Sequence, residues 1–279
     1  MGIFRKTETP EDIIPNGIKK GSLEHILFIT LTVSIDYQRD ASVLWYSSRK
    51  TFKDTETKYL FKPKSLHETP LRKIIADMQK YKLSKKPRQD ANIWRTVGVT
   101  FYKKWEQNPY NFLKNCNWDS LIILKHLRND KHFYNKRLVS DYPFLKGPKI
   151  ASLWLRMLKD NVGVTQLKNF GKVPILVDIH VARATLMTGV IRVIAKIRLD
   201  EFFENVRKAW FESVKDLKIK DRPMIALDID KPLWILSKYG CTNRDKIIGY
   251  CRAYSECVVK NFCIKGKVKI ENNFVELET

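Results

Sequence analysis

Apolar residues recur along this chain at the spacing of a helix rather than a strand. Phe202, Val206, Trp210 and Val214 repeat every four positions, which stacks them on one helical face. Asp200 stands where a carboxylate would cap the start of that helix. Thr69-Pro70 opens a second helix carrying Leu71, Ile74, Ile75 and Met78. Asp90 is placed to cap a third, through Ile93, Trp94, Val97 and Phe101, which Asn108-Pro109 ends because proline cannot continue it. The pattern predicts further helices over 23–33, 41–51, 119–127, 132–140, 149–158 and 231–239, the last stopped by Gly240. Trp45, Trp94, Trp105, Trp118 and Trp154 sit at helical spacings as core residues. Strand signals are confined to 267–270 and 274–277, which flank Asn272-Asn273 as a small hairpin. Lysines crowd a loop from Lys82 to Arg88. The expectation is an all-α protein.

Charge narrows the class of partner. Among 279 residues, 44% are apolar, which suits a folded protein, while the formal charge is +22. The lysines and arginines run along the whole length, so the field belongs to the folded surface. A field of that sign attracts a polyanion, most simply nucleic acid, by releasing its counterions. No leader is legible in Met1 to Lys6, and the apolar run from Ile26 to Ile35 is too short to span a bilayer. A soluble, intracellular protein in the DNA compartment (cytoplasm or nucleoid) is expected, with no membrane partner.

Two short segments could carry chemistry. In the first, Pro143, Gly147 and Pro148 form a link leading into a helix that starts near Lys149. A tight turn at a helix N-terminus exposes backbone N–H groups that can hold a phosphate, although many Pro-Gly links are simply turns. In the second, Asp178 lies within the apolar run Val173 to Ala182, either as a helix cap or as a carboxylate tuned by a dry pocket. Of five cysteines, Cys241, Cys251, Cys257 and Cys263 fall in one C-terminal segment, apart from Cys116. Clustered thiols in a reducing compartment suit metal ligation, iron–sulfur or zinc, whereas isolated ones are often core residues.

Together the segments resemble the helix-hairpin-helix DNA glycosylases, in particular the endonuclease III-like branch. There a hairpin ending in Gly-x-Lys-x-Ala precedes Val-Asp-x-His-Val-x-Arg. Gly147-Pro148-Lys149-Ile150-Ala151 and Val177-Asp178-Ile179-His180-Val181-Ala182-Arg183 match these. Cys257 to Cys263 is similar to the last half of that branch's iron–sulfur loop, with longer gaps upstream to Cys251 and Cys241. Two departures stand out. Leu145 replaces the hairpin's usual first glycine, and the interval from Lys149 to Asp178 is longer by about three helical turns' worth of chain. Archaeal 8-oxoguanine glycosylases of the same superfamily resemble the sequence in that interval. The surplus is expected as a loop over 161–171.

The resemblance implies a bifunctional N-glycosylase and AP lyase of base excision repair, acting on double-stranded DNA with a damaged, oxidised base. Lys149 would be the Schiff-base nucleophile and Asp178 the carboxylate stabilising the sugar cation. Leu145, Lys146, Gly147, Pro148, His180 and Arg183 would contact DNA, and Asp36, Gln38 and Asp40 would line the lesion pocket. Cys241, Cys251, Cys257 and Cys263 would bind a [4Fe–4S] cluster, with zinc the alternative. The implied protein is a monomer of two helical domains flanking a DNA-binding cleft. One is a six-helix barrel with the hairpin (20–172); the other holds 1–19 and 173–279, with Asp178 and the cluster. Family members lacking the lysine are monofunctional, so a mismatch glycosylase for uracil, thymine or adenine is the rival, and a non-catalytic DNA-binding protein a second.

Overall fold

A computed structural model describes residues 8–193, 195–245, 247 and 249–278. The segment Met1 to Lys6, read for leader signals, lies outside the described residues. The chain divides into two compact units, Glu8–Lys172 and the part from Val173 onward.

The first unit is helical, as the periodicity predicts. Its helices are α1 (Leu23–Val33), α2 (Ala41–Lys53), α3 (Pro63–Glu68), α4 (Leu71–Lys80), α5 (Pro87–Trp105), α6 (Pro109–Asn115), α7 (Ser120–Asn129) and α8 (Pro148–Met157). Side-chain caps set several starts: Ser22 accepts from His25 N, Asp40 from Ser42 and Val43, and Asp119 from Leu121 and Ile122. α1 is buried from His25 to Val33, which places it at the centre of the unit. Trp45, Trp94 and Trp154 are fully buried, whereas Trp105 and Trp118 are only partly so. The polar edges of two of the buried indoles are satisfied, with Trp94 Nε1 donating to Leu60 O (2.6 Å) and Trp154 Nε1 to Thr30 Oγ1 (2.9 Å).

Three sequence expectations change here. Asp90 does not cap α5; it lies in that helix's first turn and reaches back to the N–H groups of Lys85 and Lys86 (2.9 Å each). Residues 132–140 are not a helix but an antiparallel ribbon of β1 (Lys131–Tyr134) and β2 (Arg137–Ser140). Its turn residues, Asn135 and Lys136, both have positive φ (46° and 62°), the conformation that closes a two-residue hairpin. Residues 8–19, expected with the C-terminal third, belong to the first unit. The reason is a buried ion pair, Glu11 to Arg156 of α8 at 2.6 Å, with side chains 6% and 5% exposed, beside an Asn161 amide on Asp12 (2.9 Å). A charge so desolvated must stay with its partner. Residues 158–162 extend α8 by one widened π turn, and the chain then runs as loop to a short turn at Phe170–Lys172.

The second unit contains α9 (Ile179–Met187), β3 (Ile197–Arg198), α10 (Leu199–Ser213), β4 (Lys218–Ile219), β5 (Arg222–Pro223), α11 (Asp230–Tyr239), β6 (Lys267–Glu271) and β7 (Phe274–Glu278). The C-terminal hairpin forms as predicted, with Asn272 and Asn273 at φ 51° and 62°, and β3 joins it in the order β3-β7-β6. Phe202 and Val206 of α10 pack with Val181 and Leu186 of α9, Leu236 of α11 and Val275 of β7. Asp200 is not the cap of α10. Arg198 precedes the helix, and Asp200 in its first turn pairs with that guanidinium at 2.7 Å. Among the described residues no helix is long and apolar enough to cross a membrane.

Candidate functional site

The turn before α8 is built from backbone contacts. Leu145 N donates to Pro143 O (2.7 Å), Lys146 N to Tyr142 O (3.1 Å) and Gly147 N to Phe144 O (2.9 Å). The left-handed residue is Phe144, at φ 60°, and Leu145 turns fully into the core. The left-handed position of this turn therefore falls on Phe144 and not on Leu145. Gly147 cannot be enlarged cheaply, since a Cβ there would stand 3.2 Å from Phe144 O. Gly147 precedes α8 and Pro148 begins it, without any side-chain cap. The N–H groups of the first turn therefore face whatever anion approaches. Lys146 is exposed, and Lys149, the second residue of α8, is half-buried.

The loop after α1 meets this turn. The rings of Tyr37 and Phe144 stack at 4.2 Å. The Tyr37 hydroxyl donates to Asp90, which also accepts from Ser84 Oγ at 2.8 Å. Burial, then Asp90, pushes the Tyr37 phenol above its ordinary range. Lys85 Nζ reaches Gln38 O (2.6 Å) and Lys86 Nζ reaches Gln38 Oε1 (2.7 Å), holding Gln38 at φ 50°. So the lysine-rich loop clamps residue 38, and Asp40 is spent on capping α2. Asp36 is buried. Sequence reasoning missed Tyr37, Asp90 and Phe144. The absence of glycine between Pro143 and Gly147 was the signal that another residue must take the left-handed conformation.

In the second unit Asp178 caps α9 with one oxygen. Oδ1 accepts from His180 N (2.8 Å) and Val181 N (2.9 Å), and Oδ2 takes no part in the cap. The side chain is half-buried at the positive end of the helix. His180 places Nδ1 3.3 Å from Ser237 Oγ, and its ring 5.7 Å from that of Trp234. Arg183 is turned toward α11 and the cysteine segment, donating to Thr242 Oγ1 at 3.0 Å. Burial lowers its pKa, against the opposing charges of Cys241 and Asp178.

The four C-terminal cysteines are free thiols, with Cys241, Cys251 and Cys257 buried and Cys263 half-buried. They come near enough to act on one another. Burial pushes Cys241 up to about 12, and Cys251, Cys263 and Cys257 push the same way while Arg244 opposes them. Arg244 donates to Cys263 Sγ (3.2 Å) and Ile264 O (2.6 Å), and also contacts Met187 Sδ. Among the described residues no three such groups converge tightly enough to hold a single metal ion. A lone zinc would need its sulfurs about 2.3 Å from one point. Three buried thiols and one half-buried thiol, with Arg244 donating to one of the sulfurs, are the soft donor set that an iron–sulfur cluster takes.

The fold class that these units define is all-α, with short ribbons attached, and solved structures share it. An endonuclease III trapped as a covalent intermediate with DNA, in an estranged-adenine complex, aligns over 94% of this chain and 90% of its own at a TM-score of 0.53 and 14% identity. A non-covalent endonuclease III–DNA complex aligns over 94% and 89% at a TM-score of 0.54, also at 14% identity. No protein-family model matches the sequence, and no curated protein matches it either.

Proposed function

We propose that the protein is a bifunctional DNA N-glycosylase and AP lyase of base excision repair, with Lys149 as nucleophile and Asp178 as its electrostatic partner. The observation that carries this reading is the placement of Lys149 one turn-residue after Gly147-Pro148, at a helix start with no side-chain cap and a lysine on either side of the glycine–proline pair. A phosphate held by those N–H groups would bring a nucleotide sugar to the lysine. The endonuclease III fold, in chains solved as DNA complexes, supports the same reading.

A base inside a duplex is stacked, so the nucleotide must swing out before C1′ can be reached. The neutral Lys149 amine attacks C1′, and the N-glycosidic bond breaks with its electron pair leaving on the base, which takes up a proton. Positive charge grows on the sugar as that bond lengthens, and the Asp178 carboxylate would be the group that offsets it. Ring opening gives the imine between Nζ and C1′. Loss of a proton from C2′ then expels the 3′ phosphate and nicks the strand. Lys146, Gly147 and Pro148 would meet the backbone, with Leu145 as the core anchor of the turn. His180 and Arg183 would act chiefly by fixing α9 against α11, and Asp36, Gln38 and Asp40 as the rim that positions Tyr37. Cys241, Cys251, Cys257 and Cys263 would hold a [4Fe–4S] cluster, which supplies a rigid crosslink and a one-electron redox couple when bound.

The substrate class is double-stranded DNA with an oxidised base, acted on by a monomer. Duplexes containing 8-oxoguanine, thymine glycol, uracil or a mismatched thymine, incubated with and without borohydride, test it. Base release with a covalent adduct is expected on an oxidised lesion. Release without an adduct would make the enzyme monofunctional, and neither product would leave only a DNA-binding protein.

A further inference from the structure

Between α7 and the α8 turn, the β1–β2 ribbon projects from the first unit. Its register pairs Phe133 with Leu138 and Lys131 with Ser140 on one face, and Tyr134 with Arg137 on the other. Phe133 is 79% exposed, Tyr134 60% and Leu138 54%. A lone two-stranded ribbon is barely stable in water, so a large aromatic–aliphatic pair left uncovered on one needs a reason. The root, by contrast, is firmly held. Asp141 N donates to Asp130 O (3.0 Å), and the buried Asp141 carboxylate takes both His132 Nδ1 and Lys104 Nζ at 2.6 Å. The Thr100 hydroxyl donates to Asp141 O at 3.0 Å. From residue 131 to 140 the chain has Lys131, Lys136 and Arg137 and no acidic residue.

We infer that this ribbon is a second duplex-DNA contact, with Phe133 and Leu138 lying against the minor groove and Lys131, on their face, and Lys136, at the ribbon's tip, on the flanking phosphates. The inference rests on the reading of the α8 turn as the DNA-facing surface. The ribbon leads into that turn within one unit, through Asp141 and Tyr142, both buried, which fix its root beside the start of the turn. Charge complementarity selects the occupant. An apolar protein groove would use Phe133 and Leu138 but leave Lys131 and Lys136 unmatched, whereas a nucleic-acid groove offers apolar sugar faces between rows of phosphates. Apolar wedges flanked by cations are how side chains engage a minor groove.

The test uses the full chain and a fluorescein-labelled duplex carrying a tetrahydrofuran abasic analogue, with anisotropy titrations over a range of salt. The variants are Lys131→Gln/Lys136→Gln and Phe133→Ser/Leu138→Ser, all at exposed positions outside the Asp141 root. Removing two phosphate contacts should flatten the plot of log affinity against log salt by about 1.8. Removing the apolar pair should weaken binding about tenfold with the slope unchanged. If both variants keep the native affinity and slope while Lys149-dependent trapping persists, the ribbon is not a DNA contact and the catalytic reading stands. If the native chain neither binds the duplex nor traps, the catalytic reading fails and the ribbon's role with it.

Discussion

The ring of Tyr37 lies on the ring of Phe144, centroids 4.2 Å apart and planes 23° from parallel. One residue belongs to the loop after α1 and the other to the turn before α8, so the stack joins the expected lesion-pocket segment to the expected phosphate-binding turn. Phe144 takes a left-handed backbone (φ 60°), a conformation a bulky residue adopts only where its surroundings reward it. An aromatic stack is worth about 0.5–1.5 kcal/mol beyond burial.

Phe144→Gly and Phe144→Ala separate the two effects. Both lose the stack, but glycine is at ease at positive φ and alanine is not. Alanine should therefore destabilise by about 1 kcal/mol more than glycine in urea unfolding. Equal losses would mean the backbone at residue 144 is not strained.

Asp178 combines a helix cap with the proposed charge, and the two can be parted by substitution. Asparagine caps a helix as well as aspartate does, so Asp178→Asn should leave the melting temperature nearly unchanged. It should slow base release about a hundredfold or more, because the charge proposed to stabilise the sugar cation is gone. Asp178→Ala should lose both, with about 1 kcal/mol of stability. A fully active Asp178→Asn enzyme would reduce the residue to its cap.

His25 makes the fold sensitive to acid. Its Nδ1 accepts from Gly21 N at 3.2 Å, the ring is fully buried, and burial followed by Lys20 lowers its pKa from 6.5 to about 4. Unfolded chains take up the proton first as pH falls. The contribution is thus complete above 6.5, declines between 6.5 and 4, and is gone below that, a loss of roughly 3 kcal/mol. His25→Leu should lack this decline. Urea midpoints of the two proteins at pH 7.5 and 4.5 provide the comparison, and parallel declines would contradict it.

The proposed cluster gives the thiols different roles by position. Serine at Cys241, Cys251 or Cys257 should abolish bound iron, labile sulfide and the broad visible absorbance, whereas Cys116→Ser should keep all three. Cys116 is as buried as any, in the core of the other unit. Zinc in place of iron in the native protein would overturn the cluster.

Much of the helical frame was legible because it is local: apolar spacing, the break at Asn108-Pro109 and the stop at Gly240 are read within a few residues. The helix starts after Gly147 and at the Asp178 cap were legible for the same reason. What sequence misread depends on distant partners. Glu11 anchors the N-terminal segment through Arg156, 145 positions away, and Asp90 was taken for a cap although Tyr37, 53 positions earlier, is one of its partners. The β1–β2 ribbon was misread as a helix, although Asn135-Lys136 between aromatic and branched residues is a hairpin signal. The contact from Arg183 to Thr242 is another such distant one, made because the fold brings α9 to α11.

Borohydride trapping on a lesion-bearing duplex, followed by peptide mass mapping, examines the amine on which the proposed chemistry turns. The native protein should yield a covalent adduct on the peptide containing Lys149, and Lys149→Gln should yield none while still binding the duplex. An adduct that persists in Lys149→Gln, or maps to another lysine, would contradict the account.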